Sequence, residues 1–300
     1  MVERDFTRRR FRLAERLIEG VLLAAAAAAI AIVVAIVAVL VSQSAQFFAD
    51  VSIVEFLTST RWTPTFENPE YGVAPLISAT LMSTLVALAV AVPFGLLSAV
   101  YLSEFARPRT REIVKPILEL LAGVPTVVYG YFALLFMTPL LQRLIPGLPA
   151  FNLLSAGIVM GLMIIPYIAS LSEDALRAVP NGLRDGSTAL GATRLETAFR
   201  VVLPAAASGV TGAIILGMSR AVGETMIVAV AGGLKPQIVT APAQEGATVT
   251  AFIAQVAQGD LEFGSLEFNS IFAAGLALLV ITLAFNFIAF ALQRRFREAY

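Results

Sequence analysis

The hydrophobic positions of this chain gather in long unbroken runs instead of alternating with polar ones, and that spacing sets the fold class. Gly20 to Val41 passes without one charge or hydroxyl. A run of about 18 or more apolar residues argues for a membrane-crossing helix, since in hydrocarbon a helix satisfies its own backbone groups. Such runs occur near 20–43, 74–102, 112–140, 152–172, 205–232 and 269–292. They predict an all-α integral membrane protein with six transmembrane helices: a basic tail over 1–19, then one membrane domain over 20–300. The first run exceeds the roughly 7–15 apolar residues of a secretory signal, so an uncleaved first helix is expected.

Pro93, Pro116, Pro125 and Pro166 fall within or at the ends of these runs. A proline there frees a backbone carbonyl and permits a kink or an unwound turn, although proline is also simply common in membrane helices.

The connections divide by charge. Arg4, Arg8, Arg9, Arg10, Arg12 and Arg16 precede the first run, and Arg107, Arg109, Arg111 and Lys115 follow the second. Arg177, Arg184, Arg194 and Arg200 precede the fifth, and Arg294, Arg295 and Arg297 close the chain. The alternate connections hold only Arg61, Arg143 and Lys235 beside acidic residues such as Asp50, Glu55, Glu67, Glu70, Glu245, Asp260, Glu262 and Glu267. Short basic loops stay cytoplasmic, so both termini are expected there, which an even number of crossings satisfies.

Composition narrows the chemistry. Of 300 residues, 58% are hydrophobic and 14% charged, and formal net charge is zero, so no global field draws nucleic acid. Cysteine and histidine are absent, which removes thiolate nucleophiles, the commonest metal ligand and the usual general base. Neither Lys115 nor Lys235 follows a glycine, so neither fits the Gly-Lys-Ser/Thr end of a Walker A loop. Any ATP-driven step needs another polypeptide.

The connection over 173–204 is punctuated like a folded knob. Pro180-Asn181-Gly182 signals a turn, Leu183 to Leu190 can form a short helix, and Gly191 can end it in the left-handed conformation. Thr193-Arg194-Leu195-Glu196 then spells a capping box opening a second helix, with Leu195, Phe199 and Val202 at helical spacing. An ordinary amphipathic loop lying on the membrane surface is the alternative.

Arg220 lies within the fifth run, where an ionised group costs several kcal/mol unless paired or hydrated. Glu224, four residues on, would share its helix face and neutralise it. Such a pair suits an anion pathway, since a guanidinium fork matches phosphate or sulfate oxygens. It equally suits a structural ion pair fixing helix rotation or a partner subunit. Glu119 is a further charged candidate that could instead reach the interface.

Two resemblances follow from these residues. Asp185-Gly186-Ser187, three residues, Gly191, nine residues, then Val201-Val202-Leu203-Pro204 resembles the EAA loop of ABC-importer permeases. Asp185, Gly186, Ser187 and Val201 are conservative or small replacements in it. Three further stretches resemble the PstC-type permease subunit of bacterial phosphate importers. They are Trp62-Thr63-Pro64 with Tyr71 to Ile77 and Thr80-Leu81, Leu118 to Gly130, and Gly217 to Met226.

This resemblance implies the type I ABC-importer permease fold in the bacterial cytoplasmic membrane, with 173–204 as the coupling loop. The pathway residues it implies are Arg220, Glu224, Glu119, Thr126 and Tyr129. It implies a PstA-like second permease, two PstB-like ATPase subunits holding ATP and magnesium, and a PstS-like external phosphate-binding protein; this chain itself would bind no cofactor. Sister permeases for sulfate and molybdate share the architecture, and a stand-alone channel or membrane enzyme is the rival from another class.

Overall fold

A computed structural model describes residues 9–64, 66–259 and 262–295, with side chains described between 15 and 291. Arg4, Arg8, Asp260 and Arg297, and the side chains of Arg9, Arg10, Arg12, Arg294 and Arg295, lie outside that description. Regular structure among the described residues is helical, apart from one antiparallel bridge between Trp62 and Tyr71.

The elements run in chain order as α1 (Arg9–Asp50), α2 (Ile53–Thr58), α3 (Ala74–Val100), α4 (Pro108–Ala122) and α5 (Thr126–Phe132). There follow α6 (Thr138–Leu144), α7 (Leu153–Arg177), α8 (Asn181–Ala189), α9 (Arg194–Thr197) and α10 (Leu203–Ala205). The last four are α11 (Ala207–Val222), α12 (Met226–Ala231), α13 (Val249–Ala257) and α14 (Leu266–Arg295). Widened π-helical turns continue α3 at Tyr101–Phe105, join α5 to α6 at Ala133–Met137, and join α9 to α10 at Ala198–Val202.

Among the described residues, five stretches are long and apolar enough to cross a bilayer: Glu15–Asp50, Ala74–Phe105, Thr126–Leu144, Leu153–Arg177 and Leu266–Ala291. A sixth exists if Arg194–Ala205 and Ala207–Val222, bent by 73° at their junction, count as one.

Two expected spans change shape. The run over 112–140 is not one helix, because the chain breaks between Ala122 and Thr126. Pro125 lacks an N–H and disfavours helical backbone at Val124, so the helix restarts beyond it and the crossing segment is Thr126–Leu144. The excluded piece, α4, is amphipathic and buries no residue. The run over 205–232 likewise stops at Val222, where Gly223 caps α11, and restarts as α12. Pro93 and Pro166, by contrast, sit inside continuous helices.

The centre of the bundle is α3 against α7. Ala79, Ala87, Ala91, Ala156 and Val159 are fully buried there, as expected where close backbone approach replaces the hydrophobic effect in holding membrane helices together. At the acidic-loop end, Phe47, Phe56, Trp62, Tyr71 and Phe252 interlock edge to face, with Trp62 and Phe252 centroids 5.1 Å apart. At the basic end, Ala99, Val100, Leu176, Val179, Ala198 and Val202 form a third core that seats α8 to α10 against α3 and α7.

Candidate functional site

Breaks in two helices bring the polar groups of the interior together. Arg220 stands in the last turn of α11, where the partial negative charge of the helix end favours a cation. Its guanidinium carbon lies 4.5 Å from the centroid of the Tyr167 ring on α7. Its Nε is buried without a hydrogen-bond partner, and no ion pair engages Arg220 among the described residues. A cation held against an aromatic face keeps its N–H edges available to an anion.

The tyrosines tie this arginine to the other break. The Tyr167 hydroxyl donates to the Ala122 carbonyl at 3.1 Å, and the Tyr129 hydroxyl donates to the Leu121 carbonyl at 2.8 Å. Both carbonyls belong to the last turn of α4, and the Leu121 carbonyl also accepts from the Val124 N–H at 3.3 Å. Gly130 lets α5 and α12 touch: a Cβ there would lie 3.1 Å from the Met226 carbonyl and 3.0 Å from the Val230 Cβ.

Glu224 differs from expectation. Because α11 ends at Val222, Glu224 does not share an unbroken helical face with Arg220, and no ion pair joins them among the described residues. Its Oε1 instead accepts from the backbone N–H groups of Met226 at 3.0 Å and Ile227 at 3.2 Å, capping the first turn of α12. The Thr250 hydroxyl donates to the Glu224 carbonyl at 2.7 Å, so α13 braces the same break. Thr126 opens α5, half-buried, and Glu119 is exposed on α4, two residues before Leu121.

At the basic end the knob is built as expected. Gly191 takes φ +88° after α8, a conformation glycine adopts freely. The Thr193 side chain accepts from Glu196 N–H, while the Glu196 carboxylate accepts from Thr193 N–H at 2.9 Å and its hydroxyl at 2.8 Å. Those bonds, the backbone one first, hold the Glu196 carboxyl below its usual range. Asp185, Gly186, Gly191 and Pro204 are exposed, Ser187, Val201 and Leu203 half-buried. Leu190 and Leu195 stand 91% and 58% exposed at the tip, an apolar pair without cover.

Two ionic clusters escape a reading of the sequence. Glu173, fully buried, accepts from Arg111 Nε at 2.7 Å and Lys115 Nζ at 2.9 Å, and Arg177 lies 3.8 Å away. Lys115 also bonds Asp174; burial lowers its pKa, but bonds to Asp174 and Glu173 outweigh burial and raise it. These contacts pin α4 to α7. Arg184 forks onto Glu104, Nη2 to Oε1 at 2.9 Å and Nε to Oε2 at 3.2 Å. The only sequence signal for either was acidic residues beside span ends facing a basic loop.

Comparison with known proteins bears on what this assembly does. A family model described as "Binding-protein-dependent transport system inner membrane component" matches residues 91–298. The chain is 37% identical over 235 residues to the probable ABC transporter permease protein YqgH of Bacillus subtilis, covering 78% of this chain and 76% of that one. It is 31% identical over 298 residues to the phosphate transport system permease protein PstC of Mesorhizobium japonicum, covering 93% and 90%. Among solved structures, a bacterial ABC transporter involved in the import of the acidic polysaccharide alginate superposes with TM-score 0.65 at 14% identity, covering 96% of this chain and all of that one.

Proposed function

The chain belongs to the family of binding-protein-dependent transport system inner membrane components, and from that premise we propose that it carries inorganic phosphate inward as one permease subunit of an ATP-driven importer. The observation that supports this most is Arg220, a guanidinium resting on Tyr167 at the meeting of two broken helices, its buried Nε without a hydrogen-bond partner among the described residues. An interior cation in a membrane bundle is a functional group by default. The relatives' phosphate transport, over nine-tenths of this chain in the PstC case, agrees with a tetrahedral oxyanion as its ligand.

In this reading phosphate is taken from an external binding protein, met by the N–H edges of Arg220 and released on the basic side. Broken helices suit that work, because unwound backbone is tolerated at membrane depth where it lines a cavity or is buried in protein. Glu224 contributes by fixing where α12 restarts. Thr126 and Tyr129 line the opposing break, and Glu119 marks the approach from α4.

The second permease, the two ATPase subunits with their ATP and magnesium, and the binding protein belong to the proposal. The tip formed by Leu190, Gly191 and Leu195 is the surface on which an ATPase subunit would seat.

The test is uptake of radiolabelled phosphate by vesicles holding the chain with its copurified partners, under competition from sulfate and molybdate. Saturable, ATP-dependent uptake that excess sulfate or molybdate does not suppress is the expected result. Suppression by sulfate or molybdate at equal concentration would reassign the cargo, and transport without any ATPase partner would reassign the class.

A further inference from the structure

The knob formed by α8 to α10 has a free face and a face seated on α3 and α7, and Arg184 supplies the guanidinium–carboxylate pair of that seat. Arg184 spends all three guanidinium nitrogens on neighbours. Beyond its fork on Glu104, Nη2 donates to the Leu176 carbonyl at 2.9 Å, and Nη1 donates to the Val179 carbonyl at 2.6 Å and to Asn181 Oδ1 at 3.4 Å. The side chains of Arg184 and Glu104 are 19% and 9% exposed.

The four partners fall on three pieces of the fold. Glu104 stands in the π-helical turn that ends the α3 span, Leu176 and Val179 lie at the end of α7, and Asn181 opens α8 itself. The Ser103 hydroxyl adds a 2.9 Å bond to Glu104 Oε1, and the Arg194 guanidinium of α9 lies 5.7 Å from the Phe105 ring centroid in the same turn. A bidentate guanidinium–carboxylate pair has directional stiffness that a point-charge contact lacks. It ties the knob to α3 and α7, the two helices that form the centre of the bundle.

We propose that the Arg184–Glu104 fork is the strut that converts displacement of the knob into displacement of α3 and α7, so that ATP hydrolysis by a docked subunit is coupled to anion passage. This rests on the reading that an ATPase seats on the knob. Arg184 is a positioning residue: it touches no transported anion, and its loss separates two rates that otherwise move together.

The test uses the complete complex in vesicles, measuring ATP hydrolysis and phosphate uptake on one preparation. Glu104→Gln leaves Arg184's carbonyl bonds in place, and Arg184→Lys keeps the charge while losing the fork. Each is expected to assemble in wild-type yield and keep hydrolysing ATP while phosphate moved per ATP falls about fivefold or more, as for loss of a close charge pair. The double variant is expected to be no worse than the poorer single one, because the pair acts as a unit. An unchanged ratio, a proportional fall in both rates, additive losses, or failure of both variants to assemble would overturn the proposal. Absence of any ATPase subunit from the wild-type preparation would instead overturn the reading beneath it.

Discussion

The guanidinium of Arg220 lies 4.5 Å from the centre of the Tyr167 ring, and the same tyrosine holds the Ala122 carbonyl through its hydroxyl. One side chain therefore sets the height of the interior cation and secures the end of α4. The two roles separate by substitution. Tyr167→Phe keeps the ring and is expected to retain most phosphate uptake, whereas Tyr167→Leu removes the aromatic face, worth roughly 0.5–2 kcal/mol, and is expected to weaken phosphate affinity about 2- to 30-fold. Equal loss in both variants would assign the effect to the hydroxyl's hold on the Ala122 carbonyl and not to the ring.

Glu173 predicts a stability effect far from the pathway. It is fully buried with two cations of α4 bonded to it, one of which also holds Asp174, and loss of these charge-assisted bonds costs about 1.5–3 kcal/mol. Glu173→Ala is expected to lower the thermal midpoint of the purified complex and to expose α4 to hydrogen exchange. A midpoint within a degree of wild type would mean water already reaches this cluster.

Glu224 makes a sharper prediction because its acceptor role does not need its charge. Glu224→Gln keeps an oxygen for the N–H groups of Met226 and Ile227, so uptake is expected to stay near wild type. Glu224→Ala leaves those donors unmet at a site 7% exposed, a cost of about 1–3 kcal/mol, and uptake is expected to fall. Equal failure of the glutamine and alanine variants would show that the charge itself is required.

Gly191 separates backbone from surface. At φ +88° a branched side chain is strained, by roughly 1–2 kcal/mol, while asparagine tolerates that region. Copurification of an ATPase subunit is expected to survive Gly191→Asn and to drop with Gly191→Val. Nothing lies within 4 Å of a Cβ at this position, so a drop in both would point to steric exclusion of the partner.

What the sequence made legible was whatever depends on local pattern. Four of the six long apolar helices, the glycine turn at 191 and the Thr193–Glu196 box follow from runs and spacing a few residues wide, and the structure has them as expected. The interruption at Pro125 was foreseeable in kind, yet hydropathy averaged across it and joined α4 to the third span. Arg220 was visible because a charge inside an apolar run is conspicuous, but its companion was misjudged: spacing of four implies a shared face only while the helix continues, and Gly223 ends it. Tyr167, Glu173 and the Arg184–Glu104 fork arise from contacts between segments tens of residues apart, which no local window contains.

The central claim is that Arg220 meets the transported anion, and phosphate uptake by assembled complexes carrying Arg220→Gln tests it most directly. A neutral residue of similar reach should leave assembly intact and cut uptake by roughly 10- to 100-fold, the loss of a charge-assisted hydrogen bond of about 1.5–3 kcal/mol. Uptake at the wild-type rate from a fully assembled Arg220→Gln complex would contradict the account.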